Sequence, residues 1–211
     1  MALPYADREQ AGKELGRLLA ERDLRDPIVL AVPRGGISVA APVARVLGAD
    51  LDVIVVRKLG APNNPELGIG AVGGWGEPWL DERLVTMLRV TSPFLEAEIA
   101  KQRAEALRRI ATYRQTDEPL DVSGRDVIVV DDGIATGGTV TAAANLLRAQ
   151  GPNRLILAVP VAPREALERL RQVYDEVVAA HVPRPYYAVG QWYKDFHQVS
   201  DDEVRSLLAK G

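Results

Sequence analysis

The chain has 211 residues, with 26 Lys plus Arg against 29 Asp plus Glu, a net charge of -3, and 47% hydrophobic residues. This is a globular composition that excludes disorder and low complexity, and its charge offers no general attraction to nucleic acid. The absence of cysteine excludes disulfides, thiolate zinc sites and cysteine nucleophiles. The length suits a single domain over residues 1–211. Residues 1–10 hold no apolar signal core, and no run approaches the roughly 18 apolar residues of a membrane span. The expectation is a soluble, cytoplasmic protein with no membrane contact.

Apolar residues Ala11, Leu15, Leu18 and Leu19 recur at helical spacing, predicting an amphipathic helix over residues 7–22. Residues 28–32 are a short apolar run ending at Pro33, which reads as a buried strand. A small-residue helix is expected over 37–47, closed by Gly48, with Pro42 making its start ambiguous. A second strand over 53–56 ends at Arg57 and Lys58. Residues 59–76 hold six glycines and two prolines, so an irregular, flexible loop is expected there. Within it, residues 68–73 match the letters GxGxxG, but no strand precedes them and no helix can follow, so they too read as loop.

Ser92 as N-cap and Pro93 at the first position open a further helix, with one apolar face from Leu95 through Tyr113. Strands follow at 127–130, 155–159 and 177–180, with helices at 136–150 and 164–172 between them. An aromatic stretch reaches Phe196, and Ser200 with Glu203 forms a capping box for a last helix. Continuous apolar strands alternating with helices give an α/β fold, a parallel sheet with helices on both faces. Ligands of such sheets sit beyond the carboxyl ends of the strands.

Three of those strand ends carry distinctive chemistry: Arg34-Gly35-Gly36, Arg57-Lys58, and the segment from Asp131 to Thr139. In the last, two carboxylates are followed by small residues leading into a helix N-terminus, whose free N–H groups and dipole favour an anion. Gly137 and Gly138 let a phosphate approach the backbone, and Thr136 and Thr139 add hydroxyls. Carboxylates beside a phosphate cradle suit a ribose phosphate with a magnesium ion. His181 and His197 lack metal-ligand spacing and read as structural or surface residues.

The run VIVVDDGIATGGT at 127–139 resembles the thirteen-residue phosphoribosyl pyrophosphate (PRPP) motif of the type I phosphoribosyltransferases. The resemblance extends over about residues 7–203 and implies that family's fold, with a small hood subdomain formed by about 183–200 and the N-terminal segment. It implies that Asp131 and Asp132 hold the ribose hydroxyls and the Mg2+ ion, and that Ala135, Thr136, Gly137, Gly138 and Thr139 bind the 5-phosphate. Arg34, Gly35 and Gly36 resemble the pyrophosphate loop. Arg57 and Lys58 resemble the basic pair before a mobile catalytic lid, which residues 59–76 would form. In the hood, Trp192 is the preferred stacking residue for the base. Ala135 stands where hypoxanthine-guanine members have an aspartate, and no lysine follows Val159, which argues against oxopurines.

The implied function is transfer of ribose 5-phosphate from PRPP to a nucleobase, a pentosyl transfer of nucleotide salvage. The products are pyrophosphate and a nucleoside monophosphate, and family analogy implies a homo-oligomer. A regulatory protein of the same fold that senses PRPP or nucleotide without turnover is the alternative. PRPP synthesis fits less well, because it would need an ATP site and, by family analogy, a longer chain.

Overall fold

The computed structural model describes residues 3–114, 116, 118 and 121–210. Met1 and Ala2, the start of the segment assigned to the hood, lie outside the described residues. The central sheet has five parallel strands in the order β2-β1-β6-β7-β8. These are β1 (Ile28–Ala31), β2 (Asp50–Val53), β6 (Asp126–Val130), β7 (Arg154–Val161) and β8 (Glu176–His181).

The inner strands β1, β6 and β7 are largely apolar because both faces are covered. Val29, Ala31, Ile128, Val130, Ile156 and Ala158 face one way, under α1 (Arg8–Ala20), α2 (Gly35–Leu47), the end of α4 (Ser92–Tyr113) and α7 (Asp201–Leu208). Their alternates Ile28, Leu30, Val127, Val129, Leu155, Leu157 and Val159 pack against α5 (Gly138–Arg148) and α6 (Arg164–Leu170). Asp7 caps α1 by accepting from the Gln10 N–H, and Ser200 and Glu203 close the expected capping box on α7.

The structure corrects several sequence expectations. The second strand is Asp50–Val53 rather than 53–56, because β2 is an edge strand whose polar residues Asp50 and Asp52 meet Arg125 and Arg114. An apolar run therefore does not mark it. Residues 59–72 are not irregular, and apart from a two-residue turn only 73–76 of the expected loop lie outside strands: β3 (Arg57–Ala61), β4 (Asn64–Val72) and β5 (Trp79–Leu80) form an antiparallel sheet. The GxGxxG letters thus lie largely on a strand. Pro62 and Asn63 make the turn, with Asn63 at φ 60°, as a type II turn requires at its third position. Arg57 and Lys58 accordingly begin β3 and do not end β2.

A short helix α3 (Glu82–Met87), capped by Asp81, follows β5 and has no sequence expectation behind it. Smaller shifts have local causes. Thr91 is the N-cap of α4, which places Pro93 one residue further in. Helix α5 starts at Gly138 because Gly137 adopts a left-handed conformation, and α2 runs through Pro42 from Gly35. Among the described residues, no helix is long and apolar enough to cross a membrane.

Candidate active site

At the carboxyl end of β6 the chain leaves the sheet at Val130 and turns through Asp131 and Asp132. Asp131 Oδ1 accepts the Asp132 N–H at 2.9 Å. Burial, and then the charge of Asp132, push the Asp131 carboxyl well above its ordinary pKa. Burial raises Asp132 as well, against the lowering effect of Arg8. Two recessed carboxylates that resist carrying two charges need a cation or hydroxyl donors to settle them.

Arg8 supplies part of that need and is the residue that sequence reasoning missed. Its side chain is buried, and its Nε and Nη2 each lie 2.9 Å from Asp132 Oδ2. Its Nη1 donates to the His197 carbonyl at 3.0 Å, and its guanidinium sits 3.9 Å above the centre of the Phe196 ring. A signal for it was present. Arg8 continues the apolar stripe of Ala11, Leu15 and Leu19 toward the start of α1, and a charge on a buried stripe needs a partner.

The loop after β1 meets the carboxylates directly. A Cβ on Gly35 would lie 2.1 Å from Asp132 Oδ2, and one on Gly36 would lie 2.8 Å from the Val130 carbonyl and 3.3 Å from Asp131 Oδ1. Only glycine permits this contact, so Gly35 and Gly36 bring the two strand ends together. The Pro33–Arg34 peptide bond between β1 and α2 is cis. Arg34 Nη1 lies 3.8 Å from Asp201 Oδ1.

Beyond the carboxylates, Ala135, Thr136 and Gly138 are exposed and Gly137 is buried at φ 83°. A cavity of about 580 Å3 opens there. Thr136, Gly138 and Thr139 line it from one side, and Arg57 and Lys58 from the antiparallel sheet on the other. The structure therefore brings the basic pair to the loop at the start of α5. Lys58 is held by the Glu66 carbonyl at 3.1 Å, and Arg57 by Gln102 at 3.1 Å.

The aromatic stretch divides into separate roles. Tyr193 is buried and donates its hydroxyl to the Asp132 carbonyl, and Tyr187 is 83% exposed. Trp192 packs on Tyr186 with ring centres 6.1 Å apart, and its carbonyl accepts the Tyr5 N–H at 2.8 Å. The Tyr186 hydroxyl also feels the site: burial, then Asp132 and Asp131, push it up, as burial and then Asp132 do for Tyr193. His181 bonds to Glu14, and His197 to Asp195 and Glu203.

No group of three or more His, Asp or Glu side chains converges on a metal position among the described residues. The donor set is two oxygen-only carboxylates, which suits a hard ion that keeps waters and takes further oxygens from a substrate phosphate.

The phosphoribosyl transferase domain family matches residues 4–188. A Mycobacterium tuberculosis protein provisionally named a phosphoribosyl transferase is 42% identical over 204 residues, covering 97% of this chain and 46% of its own length. The chain thus spans about half the length of that curated relative. The crystal structure of TT1426 from Thermus thermophilus is 44% identical, covers 99% of both chains and superposes with a TM-score of 0.88. A uracil phosphoribosyltransferase of a Thermoanaerobacter species is 30% identical over 166 residues, 78% of this chain and 69% of its own.

Proposed function

The chain belongs to the phosphoribosyl transferase family, and on that basis we propose that it transfers ribose 5-phosphate from PRPP to a nitrogenous base with release of pyrophosphate. The observation that carries this reading is the recessed Asp131–Asp132 pair, touched by Gly35 and followed by a glycine-led helix N-terminus. A ribose phosphate answers both halves of that arrangement. Its hydroxyls and a magnesium ion meet the carboxylates, and its 5-phosphate meets the N–H groups from Ala135 to Thr139.

Departure of pyrophosphate from the anomeric carbon leaves positive charge on the sugar, which the nearby carboxylates stabilise. Arg34 and the amides of Gly35 and Gly36 face the leaving group, and Lys58 and Arg57 add positive charge from the antiparallel sheet. Asp131 and Asp132 would hold the magnesium ion, which supplies charge neutralisation on the phosphate oxygens when bound. Arg8 keeps Asp132 oriented while this happens. The base would stack in the hood near Tyr186 and Trp192. Neither Ala135 nor Val159 offers the polar partner that would favour an oxopurine.

The test is pyrophosphate release from magnesium-PRPP across purines, uracil, other pyrimidines and orotate. Turnover with at least one base is expected, with guanine and hypoxanthine poor. Asp131→Asn with Asp132→Asn should abolish it. PRPP binding by wild type without turnover of any base would instead favour the sensing alternative, and tight PRPP binding by the double variant would remove the carboxylates from the ribose site.

A further inference from the structure

Behind the loop that leads into α5 stands α6, and three residues of α6 and the turn after it reach that loop at successive points. Arg169 Nη2 donates to the Thr136 carbonyl at 3.2 Å. Leu170 is buried beside Gly137, where an added Cβ would meet its Cδ1 at 3.2 Å. The Tyr174 hydroxyl, also buried, donates at 2.6 Å to the carbonyl of Val140 in the first turn of α5.

Arg169 has no carboxylate to answer its charge. Glu165, one turn earlier on α6 and at the spacing that would pair with it, lies 3.5 Å from Arg184 instead. Among the described residues, the Thr136 carbonyl is the one hydrogen-bond partner of the Arg169 guanidinium.

The orientation of a single peptide group makes this bond matter. The Thr136–Gly137 bond is trans, and in a trans peptide the carbonyl and the following N–H point opposite ways. With the Thr136 carbonyl turned to Arg169, the Gly137 N–H faces away from α6, and among the described residues it donates to no backbone carbonyl. The cavity lined by Thr136, Gly138 and Thr139 takes no residue from α6. A peptide turned the other way would offer an anion at the start of α5 a carbonyl oxygen in place of a donor. Gly137, having no side chain, offers little resistance of its own to that rotation.

We infer that Arg169 is a positioning residue for the 5-phosphate of PRPP: by holding the Thr136 carbonyl it keeps the Gly137 N–H turned toward the phosphate, while Leu170 and Tyr174 fix the same loop from behind. The inference rests on the transfer reading for the identity of that phosphate. Arg169 acts through the peptide group, so its effect belongs to the 5-phosphate end of the substrate and leaves pyrophosphate affinity untouched.

Titration calorimetry with ribose 5-phosphate, magnesium-PRPP and magnesium pyrophosphate, together with steady-state kinetics, tests this on Arg169→Met, Arg169→Lys and Arg164→Met. Arg164 is an exposed arginine at the other end of α6, so its loss removes the same charge without the contact. Arg169 is exposed as well, and both Met variants should keep the wild-type melting temperature. Arg169→Met is expected to bind ribose 5-phosphate and PRPP about tenfold more weakly. Its KM for PRPP should rise to match, with kcat within about twofold of wild type and pyrophosphate affinity unchanged. A lysine can still donate to the carbonyl, so Arg169→Lys should recover part of the loss, and Arg164→Met should behave as wild type.

Equal affinity of Arg169→Met and wild type for ribose 5-phosphate overturns the inference and leaves the transfer reading standing. So does equal weakening in Arg164→Met, which would make the effect one of charge alone, or a loss for pyrophosphate as large as for ribose 5-phosphate. If wild type binds PRPP but turns over no base, the transfer reading fails and the ribose 5-phosphate arm still decides the role of Arg169. If wild type binds neither PRPP nor ribose 5-phosphate, both fall.

Discussion

Gly35 and Gly138 lack side chains for different reasons, and the difference can be measured. At Gly35 a Cβ would strike the Asp132 carboxylate at 2.1 Å, whereas at Gly138 nothing lies within 4 Å. Gly138→Ala should therefore leave stability within about 1 kcal/mol of wild type, since alanine is the better helix former. If a phosphate approaches the start of α5, the added methyl should still weaken PRPP binding by about tenfold, or about 1.4 kcal/mol. Gly35→Ala should instead lower both the melting temperature and the affinity, by about 1–3 kcal/mol of stability, because Asp132 must move. Melting curves and calorimetry on the two variants check this, and unchanged PRPP affinity in Gly138→Ala would place the phosphate elsewhere. The paired glycines after Arg34 and those after Ala135 were legible as letters. Arg8 was legible only as a charge on a buried stripe, and its partner was not, because Asp132 lies 124 residues away.

The glycines of residues 59–76 were misread at the level of the element. A Cβ on Gly70 would lie 2.4 Å from the Trp79 carbonyl, so that glycine serves the close pairing of β4 with β5 and not looseness of the chain. The bulges around Gly60 in the β3–β4 ladder have the same effect of hiding the period of two. Closure over a ligand is still the proposed role of this sheet, now as a body that moves with its ladder intact. Hydrogen exchange should find β3 and β4 amides faster than those of β1 and β6, and slower after addition of magnesium-PRPP. Identical protection with and without ligand would make the sheet a fixed wall. The long apolar strands β6 and β7 were found correctly because burial on both faces removes any need for alternation.

Across the whole molecule, the end of the sheet opposite the site is tied by Asp126, which is fully buried at the start of β6. It accepts from the Arg25 N–H at 2.8 Å, from Asn153 at 2.6 Å and from the Arg154 guanidinium. Burial pushes this carboxyl up, yet the bonds from Arg154, Arg25 and Asn153 together hold it below its ordinary value. A depressed carboxylate contributes stability above its unfolded pKa, and that contribution is lost as the pH falls through the folded pKa. Asp126→Asn should thus cost about 2 kcal/mol near neutrality, with the gap to wild type closing below about pH 4. Urea unfolding of both proteins from pH 7 to pH 3 measures this, and a gap independent of pH would mean that packing, not charge, is what Asp126 contributes.

The sequence by itself determined the parallel α/β fold and the order of most strands and helices. It also singled out the segment from Asp131 to Thr139, the proposed ribose phosphate site. These are local matters: strand burial, helix capping and a strand-to-helix turn are written in consecutive residues. Only the tertiary structure decided that Gly35 touches Asp132, that Arg57 and Lys58 face Thr136 and Thr139 from a separate sheet, and that Arg8 holds Asp132 from the first helix. Only it brought Arg169 of α6 to the Thr136 carbonyl. Each of these is a contact between distant segments, fixed by which elements share the sheet's carboxyl edge, and no periodicity along the chain encodes that.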